Sequence, residues 1–234
     1  ARGAIVVAAG AEACVPRIAG LVGSGYLTSD TMWDAFAQMD RVPARIAVLG
    51  GGPIGCELSQ ALARLGSSVT QVEMADRVLG REDPEVSATA KISLEASGVS
   101  VLTDHRAIRV ADGTLFADCH GAQVGIDFDC LIVAVGRAAR LTGYGLEDIG
   151  IDTAKTVVTD EFLATKFPNI YAAGDVAGSF QFTHTAIYQA FFLLFSSSNP
   201  RYQCYTPTPS SACQTNILLS NACHNHSPCR SSSS

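Results

Sequence analysis

The stretch VLGGGPIGCE, residues 48–57, sets three glycines in a row after an apolar run and a fourth three residues later. Glycine has no Cβ, so a run like this marks a tight turn or a close approach of another group to the backbone. Upstream, RIAVL (45–49) is a short continuous apolar run of the kind a buried strand shows. Downstream, Ile54, Leu58, Ala61, Leu62 and Leu65 fall on one face of a helix that Gly66 ends. SVTQVE (68–73) then reads as the next strand. Strand, Gly50-x-Gly52-x-x-Gly55, helix and strand close a βαβ unit in fewer than about thirty residues.

That order predicts a dinucleotide site. The first glycine permits the turn, the second lets a pyrophosphate approach the backbone, and the third lets helix and strand pack closely. The helix amino terminus offers free N–H groups to the anion. Gly50, Gly51, Gly52, Pro53, Ile54 and Gly55 are therefore the candidate pyrophosphate residues. Glu73, at the end of the second strand, can accept hydrogen bonds from ribose hydroxyls and repel a 2′-phosphate. The pattern thus favours NADH over NADPH, and Arg77 just beyond it is the one feature pulling the other way.

Working outward, AIVVAA (4–9) reads as a buried strand stopped by Gly10, and Ser29–Met39 as a short helix capped by Ser29 or Asp30. Asp83-Pro84-Glu85 opens a further helix, with the cap first and proline at the first helical position, and Ser97-Gly98 ends it. From Val99 the apolar period changes to two. Strands are expected at 99–102, 106–111, 114–119 and 122–128, with Asp112-Gly113 as a hairpin turn. DCLIVAVG (129–136) is another buried strand, and short strands at 157–158 and 169–173 complete the ordered part.

The 234 residues are 47% hydrophobic and 16% charged, the balance of a packed globular protein. Net charge is −6 with no basic cluster, which excludes nucleic acid as a main partner. No apolar run approaches a membrane span, and FFLLF (191–195) is far too short, so a soluble cytoplasmic protein is expected. All 22 acidic residues lie at or before Asp175. Residues 191–234 instead hold eleven serines, four cysteines and four prolines, with no acid and no glycine. This stretch is read as an atypical, disordered tail. Within it CHNHSPC (223–229) fits no common zinc spacing, and no metal site is expected. Cys56 reads as a packed small residue, since only the helix end would lower its pKa.

Four motifs together carry a resemblance. GGGPIGCELSQALARLGSSVTQVE, DCLIVAVGRAAR, FPNIYAAGDVAG and FTHTAIYQA occur in that order across residues 1–190. They resemble the FAD-dependent pyridine nucleotide–disulfide oxidoreductases, above all the mercuric reductase and dihydrolipoamide dehydrogenase branch. The resemblance implies an α/β fold: a Rossmann-like NAD-binding domain of parallel βαβ sheet plus β-meander, inserted in part of an FAD-binding domain. It divides the chain into the end of a first FAD segment (1–34), the NAD domain (35–136), an FAD return segment (137–190) and the tail. It further implies that Glu57 faces the nicotinamide and that Ala107 and Gly136 touch the same cofactor. Asp175 would bind FAD, and Gln181, Phe182, Thr183 and His184 would line its ring, with Glu57 and His184 as the catalytic candidates. Ala9, Gly10 and Ala11 stand where the family usually has a Thr-Gly pair followed by a small residue.

The family's chemistry is hydride transfer from the nicotinamide to the flavin, then electron passage to a disulfide, metal ion or similar acceptor, in a homodimer. This chain departs from that pattern. It holds one GxGxxG and no Cys-x-x-x-x-Cys pair. It is therefore expected to be a central fragment, truncated and inactive alone, with a non-enzymatic NADH-binding module as the alternative. A short-chain dehydrogenase is excluded because no Tyr has Lys four residues on. Taken singly, Asp175 suits a turn cap, Glu57 suits dipole complementarity on the first helical turn, and His184 suits a structural histidine.

Overall fold

The computed structural model describes residues 4–178 and 181–195. The chain forms two compact units, one of residues 12–138 and one whose described part is 4–11 with 139 onward. It opens with β1 (Ile5–Val7) and passes into the larger unit within β2 (Ala11–Ala13). β1 is shorter than the expected strand at 4–9, since Gly10 adopts φ +70° and the chain turns before it.

In the larger unit, β3 (Leu27–Thr28) leads to α1 (Met32–Ala37), β4 (Arg45–Leu49), α2 (Pro53–Arg64) and β5 (Ser68–Val72). Then come α3 (Pro84–Ala96), β6 (Val99–Leu102), and β7 (Arg106–Ala111), β8 (Thr114–Cys119) and β9 (Ala122–Asp127). β10 (Cys130–Val133) follows, and β11 (Arg137–Ala139) leads out. Five strands make an all-parallel sheet in the order β3-β10-β4-β5-β6. β7, β8 and β9 make the expected antiparallel meander, with Ala111 paired to Thr114 across Asp112-Gly113, both at positive φ. His120-Gly121 closes the second hairpin in the same way, a turn the sequence reading did not identify.

The apolar strands are continuous because both faces of the sheet are covered. Ile46, Val48, Cys130 and Ile132 point to one face, packing with Cys56 and Leu62 of α2 and Leu94 of α3. Ala47, Leu49, Leu131 and Val133 point to the other and pack on Val110, Leu115, Ala117 and Ile126 of the meander. Alternation is therefore present in direction while absent in polarity.

The first expected domain boundary, at 34/35, falls elsewhere: residues 12–34 pack in the larger unit. Leu21 is fully buried beneath the meander, Ala19 bridges Arg109, and β3 is the edge strand beside β10. The first helix is also shorter than expected, and Thr31 rather than Ser29 or Asp30 stands at its cap position. Asp30 is occupied otherwise: it accepts from the Ala13 N–H at 3.0 Å and from Arg137 at 2.6 Å.

The smaller unit contains β12 (Ile170–Ala172), parallel to β1, a 3₁₀ turn at Gly174–Val176, and α4 (Thr183–Phe195). α4 runs five residues past Ala190, into the stretch read as a tail without helix, because FFLLF extends the helix of THTAIYQA. The CHNHSPC segment lies outside the described residues. Among the described residues no helix is long and apolar enough to cross a membrane.

Burial pushes the Asp30 carboxyl up, but the Arg137 guanidinium and the Ala13 amide outweigh it and hold the pKa below the usual value. A depressed folded pKa stabilises above the unfolded value of about 3.9 and is lost as pH falls through the folded one. Asp30→Asn should therefore lower Tm at pH 7, by an amount equivalent to about 1 kcal/mol or less. The gap to the parent should close as pH drops below about 4, and a gap independent of pH would count against this account.

Candidate functional site

The glycine turn answers two steric demands, at Gly50 and at Gly55. Gly50 sits at φ +118°, and a Cβ there would stand 2.3 Å from the Ala134 carbonyl oxygen. A Cβ at Gly55 would stand 2.2 Å from the Gly50 oxygen, so α2 can lie on the turn only with glycine at that place. Gly52 is different. It caps α2 at φ −75° and a Cβ there would meet nothing within 4 Å, so no protein contact requires a glycine.

The polar groups of Gly50 and Gly51 are all engaged by β5 and by the loop after it, with one more contact from α2. The Gly50 N–H donates to Val72 O at 2.8 Å, and the Gly50 carbonyl accepts from Gln71 Nε2 at 3.0 Å. The Gly51 N–H donates to Glu73 Oε2 at 2.5 Å. The Gly51 carbonyl accepts from Leu79 N at 2.7 Å and from Cys56 Sγ at 3.5 Å. The turn therefore has no amide of its own to spare at these two residues. Pro53, the first helical residue, has none either. The anion donors left are the Gly52 amide at the cap and the Ile54 and Gly55 amides in the first turn of α2, where no intrahelical acceptor exists.

Glu73 is half-buried, and its second oxygen accepts from the Ala75 N–H at 2.8 Å. A carboxylate has about four lone-pair sites, so acceptor capacity remains beyond these two amides. Arg77 turns onto its own loop, donating to Gly80 O at 3.3 Å and lying 4.0 Å from Asp76. Gln71 was not among the expected residues. Its side chain is fully buried under the turn, and a lone Gln inside SVTQVE is the signal that could have found it.

The other candidates of this unit lie as follows. Glu57 is exposed and is the fifth residue of α2, so it stands in the second turn rather than the first. Gly136 adopts φ +128° and its carbonyl accepts from the Cys14 N–H; it lies two residues beyond Ala134, whose oxygen borders Gly50. Ala107 is half-buried and packs against the core cluster beneath the meander. Burial pushes the Cys56 thiol up despite its contact with Gln71, and pushes Cys130 up to about 11. Both read as packed thiols.

In the smaller unit, Gly10 takes φ +70° and accepts from the Arg140 N–H at 3.0 Å, between half-buried Ala9 and buried Ala11. Asp175 is half-buried in the 3₁₀ turn after β12 and does not act as a side-chain cap. The Gly174 N–H instead donates to Gln189 Oε1 of α4 at 2.6 Å. Gln181, Phe182, Thr183 and His184 are exposed at the start of α4. The Phe182 and His184 rings stack with centroids 5.1 Å apart and planes within 11°. Among the described residues no group of three or more His, Cys, Asp or Glu could hold a metal.

Two outcomes follow from this geometry. Gly50→Ala and Gly55→Ala should each destabilise the chain by about 2–4 kcal/mol in denaturant melts. Gly52→Ala should leave the melt within about 0.5 kcal/mol of the parent while weakening NADH binding in titration. Separately, brief alkylation of the native chain followed by peptide mass spectrometry should modify Cys14 and Cys119 well before Cys56 and Cys130. Equal labelling of all four would contradict the burial described.

Comparison with known proteins agrees with the site's form. Residues 1–190 match the family described as pyridine nucleotide-disulphide oxidoreductase. The chain is 34% identical over 190 residues to a mercuric reductase of Staphylococcus aureus, covering 79% of this chain and 34% of that protein. It is 35% identical over 188 residues to a dihydrolipoyl dehydrogenase of Bacillus subtilis, covering 79% and 40%. The HOCl-induced flavoprotein disulfide reductase RclA of Escherichia coli superposes with TM-score 0.72 at 28% identity, covering 85% of this chain and 45% of that one. The chain thus spans about a third of the length of the mercuric reductases it matches. With this match over most of its length, the chain belongs to the pyridine nucleotide-disulphide oxidoreductase family.

Proposed function

We propose that residues 12–138 bind NADH and that the smaller unit contributes part of an FAD site. The chain then serves the nucleotide-oxidising side of a flavoprotein oxidoreductase, whose final acceptor is a disulfide, a metal ion or a similar small molecule. The observation that carries the reading is the open position at Gly52 above free first-turn amides, with Glu73 beside it. Ile54 and Gly55 would hold the pyrophosphate. Glu73 would take the ribose hydroxyls and, as a carboxylate, reject a 2′-phosphate, which makes NADH the nucleotide and NADPH the poor competitor. Glu57, exposed one turn into α2, and Gly136, beyond the end of β10, would flank the nicotinamide portion.

For the flavin, Asp175 follows β12 of the parallel pair β1–β12, at the carboxyl end where α/β sheets receive ligands. Its carboxylate would accept from flavin hydroxyls, with Ala9, Gly10 and Ala11 bordering the same cofactor after β1. Exposed Phe182 and His184 offer flat faces for an aromatic ring. Bound NADH would supply a hydride and FAD would accept it; the protein's part is to hold the rings and exclude water. The parent enzyme would be a homodimer, as the family resemblance implies.

One observation favours a second reading, a module that binds NADH without turnover. Among the described residues Cys14, Cys56, Cys119 and Cys130 are free, and burial raises the pKa of Cys56 and Cys130. The visible spectrum of the purified chain, before and after anaerobic NADH, separates the two. A flavin band that bleaches on NADH supports the oxidoreductase. A colourless chain that titrates with NADH supports the binding module, and a chain that does neither defeats both.

A further inference from the structure

We propose that Gly51, an unconstrained position of the GxGxxG fingerprint, is a positioning residue for Glu73 and so sets the preference between NADH and NADPH. The inference rests on the reading of residues 12–138 as the nucleotide site. Its starting point is a contact that exists only because Gly51 lacks a side chain. A Cβ at Gly51 would stand 2.8 Å from both Cγ and Oε2 of Glu73 and 3.0 Å from its Cβ. The Glu73 side chain is thus folded down into the space above Gly51, where its Oε2 accepts the Gly51 N–H.

Gly51 is not held to glycine by its backbone. Its φ lies outside the left-handed region, unlike that of Gly50, and the three nearest atoms a Cβ would meet belong to the Glu73 side chain. Substituting alanine therefore moves the glutamate first and leaves the turn largely in place. The turn keeps its remaining ties, from Gly50 to Val72 and Gln71 and from the Gly51 carbonyl to Leu79 and Cys56.

The orientation matters because Glu73 is clamped at both oxygens, by Gly51 N–H and Ala75 N–H. Two clamped oxygens present their remaining lone pairs in one fixed direction, as recognition of a vicinal diol requires. A glutamate released from Gly51 keeps its charge and loses that direction. Diol recognition then weakens, and repulsion of a 2′-phosphate weakens with it as the carboxylate swings into solvent.

The test is a double-mutant cycle on the full chain, titrating NADH and NADPH against the parent, Gly51→Ala, Glu73→Ala and the double variant. Gly51→Ala should weaken NADH binding about tenfold, the scale of one hydrogen bond involving a charged group. It should lower the NADH/NADPH preference, and it should have less than about twofold effect once Glu73 is alanine. Losses that add in the double variant, or equal losses for both nucleotides, overturn the positioning role and leave the NADH site standing. Glu73→Asp supplies an independent arm should Gly51→Ala fold poorly. It keeps the charge but is too short to span both amides, so its preference should fall as well. Undiminished preference in Glu73→Asp would mean that charge alone discriminates, and would overturn the proposal. Absence of NADH binding by the parent would defeat the site itself.

Discussion

The structure turns on how one strand holds a dipeptide. Gly50 and Gly51 have two amides and two carbonyls, and β5 with its following loop meets each of them: Val72, Gln71, Glu73 and Leu79 supply the partners. Two glycines left to themselves would be the most mobile part of the chain. Satisfied on all four polar groups, they become a rigid seat. The rest of the site inherits that rigidity, since α2 starts from Gly52 and lies against the Gly50 oxygen through Gly55. A nucleotide at the proposed site would meet donors already aimed, so little ordering would remain to oppose its binding.

The seat in turn depends on the sheet. β5 runs between β4 and β6, and β4 itself lies between β5 and β10. Both strands bury residues on each face, Ile46, Val48 and Val69 against the helices and Ala47, Leu49 and Val72 on the side of the meander. The Gln71 amide is a polar group fully buried in that interior beneath the turn. It is directed at the Gly50 carbonyl and touches the Cys56 sulfur. The meander therefore does more than cover apolar surface, because without it the strands that carry the glycines and Glu73 would have one wet face.

Much of this was legible in the residues. Strand, fingerprint, helix and acid appear in order because each is dictated locally, by apolar runs, by glycine and by helical spacing. The hairpin at Asp112-Gly113 was equally plain. What could not be read locally was decided across the sequence. Asp30 was expected to cap a helix, yet Arg137, more than a hundred residues away, claims it. Residues 12–34 read as belonging to the first segment, yet a two-residue edge strand and buried Leu21 attach them to the larger unit. Gln71 looked like an ordinary strand residue, because no local pattern reveals which carbonyl a buried amide will meet. Glu57 stands in the second turn because α2 begins at Pro53, directly after the Gly52 cap.

The contact between the Cys14 N–H and the Gly136 carbonyl, 2.9 Å, ties the two ends of the larger unit to each other. A segment whose entrance and exit meet at one hydrogen bond behaves, toward its host, as a short surface loop. Its insertion costs the host chain little closure entropy whatever the length of the insert, because that cost is set by the gap between the ends. Closely spaced ends and a core of its own are the geometry by which a unit can be carried as an insert in another chain.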